Sequence, residues 1–185
     1  DTEKAKKVLE ADGYKLNASG IYEKDGKPLT VVLSCYARRS IDTMAILMQE
    51  QLKAAGIDAQ IGLEEDPDGT YMSTKNFQVG FYVSITDKAG EPFTFLNMIE
   101  KGKYLDVCGF GNDETDALIE QLRFETDEAK KKEIADKIMT NFYASNDYFA
   151  VGQYNKSTVL RAGASGLGET NPQQFYGIDA NTNIN

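Results

Sequence analysis

LTVVLSCYARRSIDTMAILMQEQLKAAGIDAQIGLEE, residues 29–65, decides the fold. Leu29 to Tyr36 form a β-rich run too apolar for a strand with one wet face, so they predict an interior strand. The period then changes. Met44, Met48, Leu52 and Ala55 share one helical face, and Gly56 follows where a left-handed C-terminal cap belongs. Ile57, Ala59, Ile61 and Leu63 then alternate as in a strand. Strand, helix and strand in this order predict a parallel βαβ unit with a right-handed crossover.

The flanks extend this pattern. Upstream, TEKAKKVLEADGYK predicts a short helix closed at Gly13, and Asp25-Gly26 marks a turn before the first long strand. Downstream, a short helix over 69–75 leads to FQVGFYVSI (77–85), apolar enough for a third strand inside the sheet. TDKAGEPFTFLNMI (86–99) then breaks the chain with an acid, a glycine and a proline. Two helices follow, NDETDALIEQLRFET and DEAKKKEIADKIMTNFYAS, with Thr126 and Asp127 offering cap oxygens to the second. Ile134, Ile138 and Phe142 recur every four residues on its core face. YFAVGQYNKSTVLRAG (148–163) reads as a strand pair or one long bent strand, and the Gly-, Asn- and Gln-rich end of the chain is assigned no structure.

At 185 residues the chain is expected to be one folded unit, and 41% hydrophobic with 26% charged residues is ordinary for a globular protein. A net charge of −9 opposes contact with nucleic acid or anionic lipid. No run approaches the roughly 18 apolar residues of a membrane span. The chain opens on Asp1 rather than methionine, which leaves a removed leader or lipid anchor open. Cys35 and Cys108 form no CxxC pattern, so only a long-range disulfide is open to them. With no histidine, imidazole-based triads and His-ligated metal sites are excluded within this chain.

Three motifs fail on inspection. Glu64, Asp66, Asp68 and Gly69 have EF-hand spacing, but the closing twelfth position is Lys75. GASGLG has Leu167 where a nucleophile elbow needs its second glycine. GFGND has Glu114 at the third glycine of a dinucleotide fingerprint. What survives is positional, because loops at the carboxyl ends of parallel strands form the ligand-facing rim. In CYARRS, Tyr36, Arg38 and Arg39 precede a helix, and adjacent guanidiniums suit a carboxylate. The alternative is surface arginines balancing nearby acids. In TDKAGEP, Asp87 or Glu91 suits a cationic amine, and the alternative is a turn with a local cap. Together the loops would fit a zwitterion such as a short peptide. Phe93 and Phe95 could pack cargo side chains between the two loops, but they lie two apart and cannot face the same way from one helix, so at least one is expected in the core.

KAKKVLEADGY, GIYEKDGKPLTVVL, MQEQLKAAGIDAQI, FQVGFYVSI leading to GEPFTFLN, and FGNDETDALIEQLRFETDEAKKKEIADKI occur in this order over about residues 3–143. In this the chain resembles the C-terminal lobe of the solute-binding proteins of the peptide, dipeptide and nickel class (family 5), which feed ABC importers. The resemblance implies an α/β, three-layer, type II periplasmic-binding-protein-like lobe over residues 1–162, its mostly parallel central sheet flanked by helices, and a Gly/Asn-rich tail over 163–185. It implies capture of di- or oligopeptides without catalysis or cofactor. The implied partners are an N-terminal lobe of the same protein and a membrane permease, at a periplasmic or extracellular, lipid-anchored location. By the same resemblance Arg38 or Arg39 would bind the peptide carboxylate and Asp87 the amine, with Glu91 as the other acid. Phe93 stands where nickel-binding members carry a histidine. The implied alternatives are a nickel or metal-chelate binder and an extracellular peptide-sensing receptor domain.

Overall fold

In the computed structural model the described residues are 1–86, 91–154, 159, 161–167 and 180–183. They fall into two compact units, Asp1–Val83 and Ser84–Asn185, where composition alone led to one.

The first unit opens with helix α1 (Thr2–Ala11), capped by the Asp1 carboxylate on the Lys4 amide at 3.0 Å. Gly13 takes φ +93°, the left-handed value its place after the helix predicts. Short strands β1 (Lys15–Leu16), β2 (Tyr22–Lys24) and β3 (Lys27–Pro28) make a small antiparallel sheet, with Asp25-Gly26 as its tight turn. These strands are too short to leave a periodic signal in the sequence.

The βαβ unit is present as read. Strand β4 (Thr30–Cys35), helix α2 (Ile41–Ala54) and strand β5 (Asp58–Leu63) follow in order, and β4 pairs in parallel with β5 from Thr30↔Asp58 to Cys35↔Leu63. Strand β4 lies centrally in the order β5–β4–β6, which is why it tolerates a continuous apolar run. On α2 the buried positions are Ile41 and Ala45, so the core face is rotated slightly from the Met44 stripe, and Met44 and Met48 are half-buried. Gly56 ends the helix at φ +83°, and a Cβ there would lie 2.8 Å from the Tyr22 ring.

FQVGFYVSI departs from expectation. Only Val79–Gly80 form strand β6, at the sheet edge rather than inside it. Ladder bonding continues for one further residue, Phe81 N–H to Ser34 O at 2.9 Å, while the Gln78 side chain accepts the Val32 amide at 2.8 Å in place of a strand partner. The expected short helix over 69–75 begins as a π-helical turn, Asp68–Met72.

The second unit is helical. A four-residue helix α3 (Phe93–Leu96) runs into a 3₁₀ turn (Asn97–Ile99), and the long helices α4 (Asp113–Phe124) and α5 (Glu128–Ala144) pack on each other and on α3. Asn112 caps α4 through the Glu114 and Thr115 amides, and Asp127 caps α5 through the Lys130 amide. Ile134, Ile138 and Phe142 are buried as their spacing predicts. Phe142 stacks on Tyr148 at 4.3 Å and meets Phe110 edge-on at 5.1 Å.

The 100–112 loop closes over one carboxylate. Buried Asp106 accepts the Gly102 and Gly111 amides, each at 2.8 Å. Gly111 passes so close to Lys101 that a Cβ would run into its backbone nitrogen and Cα.

Of the strand reading of 148–163, residues 155–158 and 160 lie outside the described residues, and the described ones form no strand; Phe149 and Val151 are exposed. Beyond it, Ser165 and Asn183 make an isolated antiparallel bridge with two 2.9 Å hydrogen bonds. Cys35 is buried, Cys108 is exposed, and both are free thiols, so the long-range disulfide is not formed.

Candidate functional site

In the first unit the parallel strands β4, β5 and β6 end at one edge of their sheet, and the loops that follow them build a rim. The loop after β4 holds three of the residues singled out by sequence. The Tyr36 side chain is buried, and the Arg38 guanidinium carbon sits 5.5 Å from its ring centroid. Arg38 is exposed, so it faces solvent from a fixed aromatic floor. Arg39 is also exposed but lies within a turn, with its backbone at φ +55°, and Ser40 repeats that value. For non-glycine residues this left-handed conformation costs about 1–2 kcal/mol each. The structure thus separates two arginines that sequence left equivalent.

The rim contains residues that sequence reasoning missed. Tyr71, on the π-helical turn, is buried and donates its hydroxyl to the Phe81 carbonyl at 2.5 Å. Tyr82 donates to the Asp68 carboxylate at 2.8 Å, tying the segment after β6 to the loop after β5. The available signal was EEDPDGTYM, whose acids were weighed only as calcium ligands. Asp66 instead organises the turn, its carboxylate accepting the Asp68 amide at 3.2 Å and its carbonyl the Thr70 amide at 3.1 Å. Among the described residues no group of three acidic or cysteine side chains is arranged to hold a metal.

Burial pushes the Tyr71 hydroxyl pKa well up from its ordinary value of 10. An unfolded chain therefore loses this proton at a pH where the folded one keeps it. The contribution is fully present below about pH 10 and is lost as pH rises further. Alkaline unfolding followed by circular dichroism is expected to steepen above that pH, and Tyr71→Phe to flatten it.

The remaining candidates belong to the second unit. Glu91 lies 3.2 Å from the Lys131 ammonium, which also contacts Glu128 at 2.9 Å. Hydrogen bonds first to Glu128 and then to Glu91 raise the pKa of Lys131, keeping it cationic. Glu91 thus already has a cation for its carboxylate. Phe93 is half-buried beneath the Arg123 guanidinium, 5.1 Å from its ring centroid, and Phe95 is half-buried too, so neither is fully in the core. Asp87 lies outside the described residues.

In a parallel α/β unit the loops at the carboxyl ends of the strands are where ligands bind. The chain belongs to the bacterial extracellular solute-binding proteins: the family 5 Middle model matches residues 1–104, a span that contains every candidate residue above. Its fold is that of the type II periplasmic binding proteins. It is similar to NikA from Brucella suis in complex with Fe(III)-EDTA, at 26% identity and a TM-score of 0.62, over 77% of this chain and 30% of that one. NikA from Staphylococcus aureus in complex with Ni(L-His)2 is 25% identical with a TM-score of 0.64, over 76% and 29%. The oligopeptide-binding protein AppA from Bacillus subtilis in complex with a nonapeptide is 21% identical with a TM-score of 0.50, over 77% and 29%. The chain therefore spans under a third of the length of these structures. No curated protein matches it by sequence.

Proposed function

We propose that this chain is one lobe of an ABC-importer solute-binding protein that captures short peptides, and that Arg38 holds the cargo carboxylate. The observation that carries this reading is Arg38 resting over the buried Tyr36 ring at the carboxyl end of the central parallel strand. A guanidinium held on an aromatic face has less freedom to lose on binding and keeps its planar fork for two parallel hydrogen bonds to a carboxylate. Glu91 is not assigned the amine of the cargo, because its carboxylate is engaged by Lys131. A second lobe of the same protein encloses the cargo by hinge closure, and the closed form docks on a membrane permease. The protein works outside the cytoplasm, lipid-anchored, and performs no catalysis.

A second reading is favoured by the identities. The two similar structures at 25% and 26% hold Ni(L-His)2 and Fe(III)-EDTA, ligands whose carboxylates suit the same arginine. With no histidine in this chain, a metal cargo is held through its chelator. Titration calorimetry of the full-length protein against dialanine, trialanine, Ni(II) and Ni(L-His)2 separates the readings. Heat with the peptides alone supports the first, and heat with Ni(L-His)2 alone replaces it by the second. No heat with any of the four removes both.

A further inference from the structure

Helix α2 starts in an unusual way. The Ile41 amide donates to the Arg38 carbonyl at 3.1 Å, closing a four-residue turn whose central residues, Arg39 and Ser40, both have φ +55°. That is the mirror-image turn which normally calls for Asn-Gly, because both central positions need positive φ. Here arginine and serine occupy it. Ser40 also stands at the helix N-cap, yet its side chain makes no capping hydrogen bond. A serine cap normally takes an extended backbone and accepts an amide of the first turn. The loop therefore bears backbone strain and forgoes a side-chain cap, and the Ile41 amide is met by the Arg38 carbonyl instead. Immediately before the turn, the Arg38 amide donates to the Tyr36 carbonyl at 2.9 Å, folding residue 38 back toward Tyr36.

We infer that the strained Arg39-Ser40 turn is a positioning device that holds Arg38 over Tyr36, ready for the cargo carboxylate. Strained backbone persists where the surrounding structure over-determines it, and it clusters at ligand clamps and other functional loops. The turn reverses the chain directly after Arg38, so the guanidinium is directed back over the aromatic floor. This inference rests on the reading of Arg38 as the carboxylate-binding group. It adds Ser40 and the backbone of Arg39 as residues that act through Arg38 without touching cargo.

The test is a double-mutant cycle on the full-length protein, titrated with trialanine and with Ni(L-His)2, using Ser40→Val, Ser40→Gly, Arg38→Ala and the Ser40→Val/Arg38→Ala pair. Valine resists positive φ and glycine accepts it. Ser40→Val is expected to weaken binding about 10-fold, since only the fraction of protein with Arg38 in place is competent. Ser40→Gly is expected to rescue that loss and raise the melting temperature. In the Arg38→Ala background, Ser40→Val should change affinity less than about 2-fold, because nothing is left to position. Ser40→Thr, which keeps the hydroxyl but is β-branched, should give the same pattern at smaller size if the valine variant does not fold. Equal losses in both backgrounds, or no loss from the β-branched variants at Ser40 while Arg38→Ala is impaired, would overturn the positioning role alone. If Arg38→Ala binds as wild type, the reading of Arg38 itself fails.

Discussion

Asp106→Ala is expected to cost the second unit about 3–5 kcal/mol, the largest stability loss of any single polar substitution considered for this chain. The buried carboxylate accepts two backbone amides at 2.8 Å, from Gly102 and Gly111, and no other residue in the loop replaces those acceptors. Charge-assisted bonds of this kind contribute roughly 1.5–3 kcal/mol each, and both lie in a part-buried setting where they are lost together. Domains have only about 5–15 kcal/mol in hand, so the loss is a large fraction of what holds the unit together. Asp106→Asn should fall between wild type and alanine, because an amide offers one acceptor oxygen and turns a donor toward the other N–H. Gly111→Ala should be as damaging for a different reason, the collision of its Cβ with the Lys101 backbone. Thermal melts followed by circular dichroism measure all three. A shift of only a few degrees for Asp106→Ala would show that the carboxylate does not fasten the loop.

Arg38→Ala should weaken cargo binding at least about 30-fold, the ratio that corresponds to the lower end of the 2–5 kcal/mol typical for truncating one partner of an enclosed charge pair. Arg39→Ala should cost much less, because Arg39 shapes the turn through its backbone, and alanine at the same positive φ keeps the turn at similar strain. Sequence treated the two as interchangeable. Arg38→Lys is expected to recover only part of the affinity, since an ammonium lacks the planar fork and stacks less well on Tyr36. Titration calorimetry on the full-length variants gives the ranking, and equal effects at 38 and 39 would remove the distinction drawn from their geometry.

The parts of the fold that could be read in advance are those where one local signal repeats. The βαβ unit was legible because the apolar period switches from strand to helix and back, with Gly56 as punctuation at φ +83°. Helices α4 and α5 were legible from periodicity, the second also from its cap residue Asp127. FQVGFYVSI misled because apolar content measures burial rather than ladder length. Residues 82–85 are partly buried without being paired as a strand, and a Gln78 side chain stands in for backbone on the other side.

At the site, what sequence captured was position along the strand. Arg38 and Arg39 stood out because they follow β4, whereas the left-handed turn between Arg38 and Ile41 contains no glycine or asparagine to announce it. The Glu91–Lys131 pair joins residues forty apart in sequence, and no local pattern reports such a contact. The role of Asp106 was equally silent, although the glycines around it were a usable sign of a tightly wound loop: Gly102 and Gly109 take positive φ, and Gly111 passes close to the Lys101 backbone.

The central claim, that Arg38 receives a cargo carboxylate, is tested most directly by comparing trialanine with its C-terminal amide in titrations of the full-length wild type and Arg38→Ala. The amide keeps size and apolar surface and removes only the charge. The account predicts that the amide binds wild type about as weakly as the free acid binds Arg38→Ala, and that combining the two changes costs little more. Equal affinity of acid and amide for the wild type would contradict it.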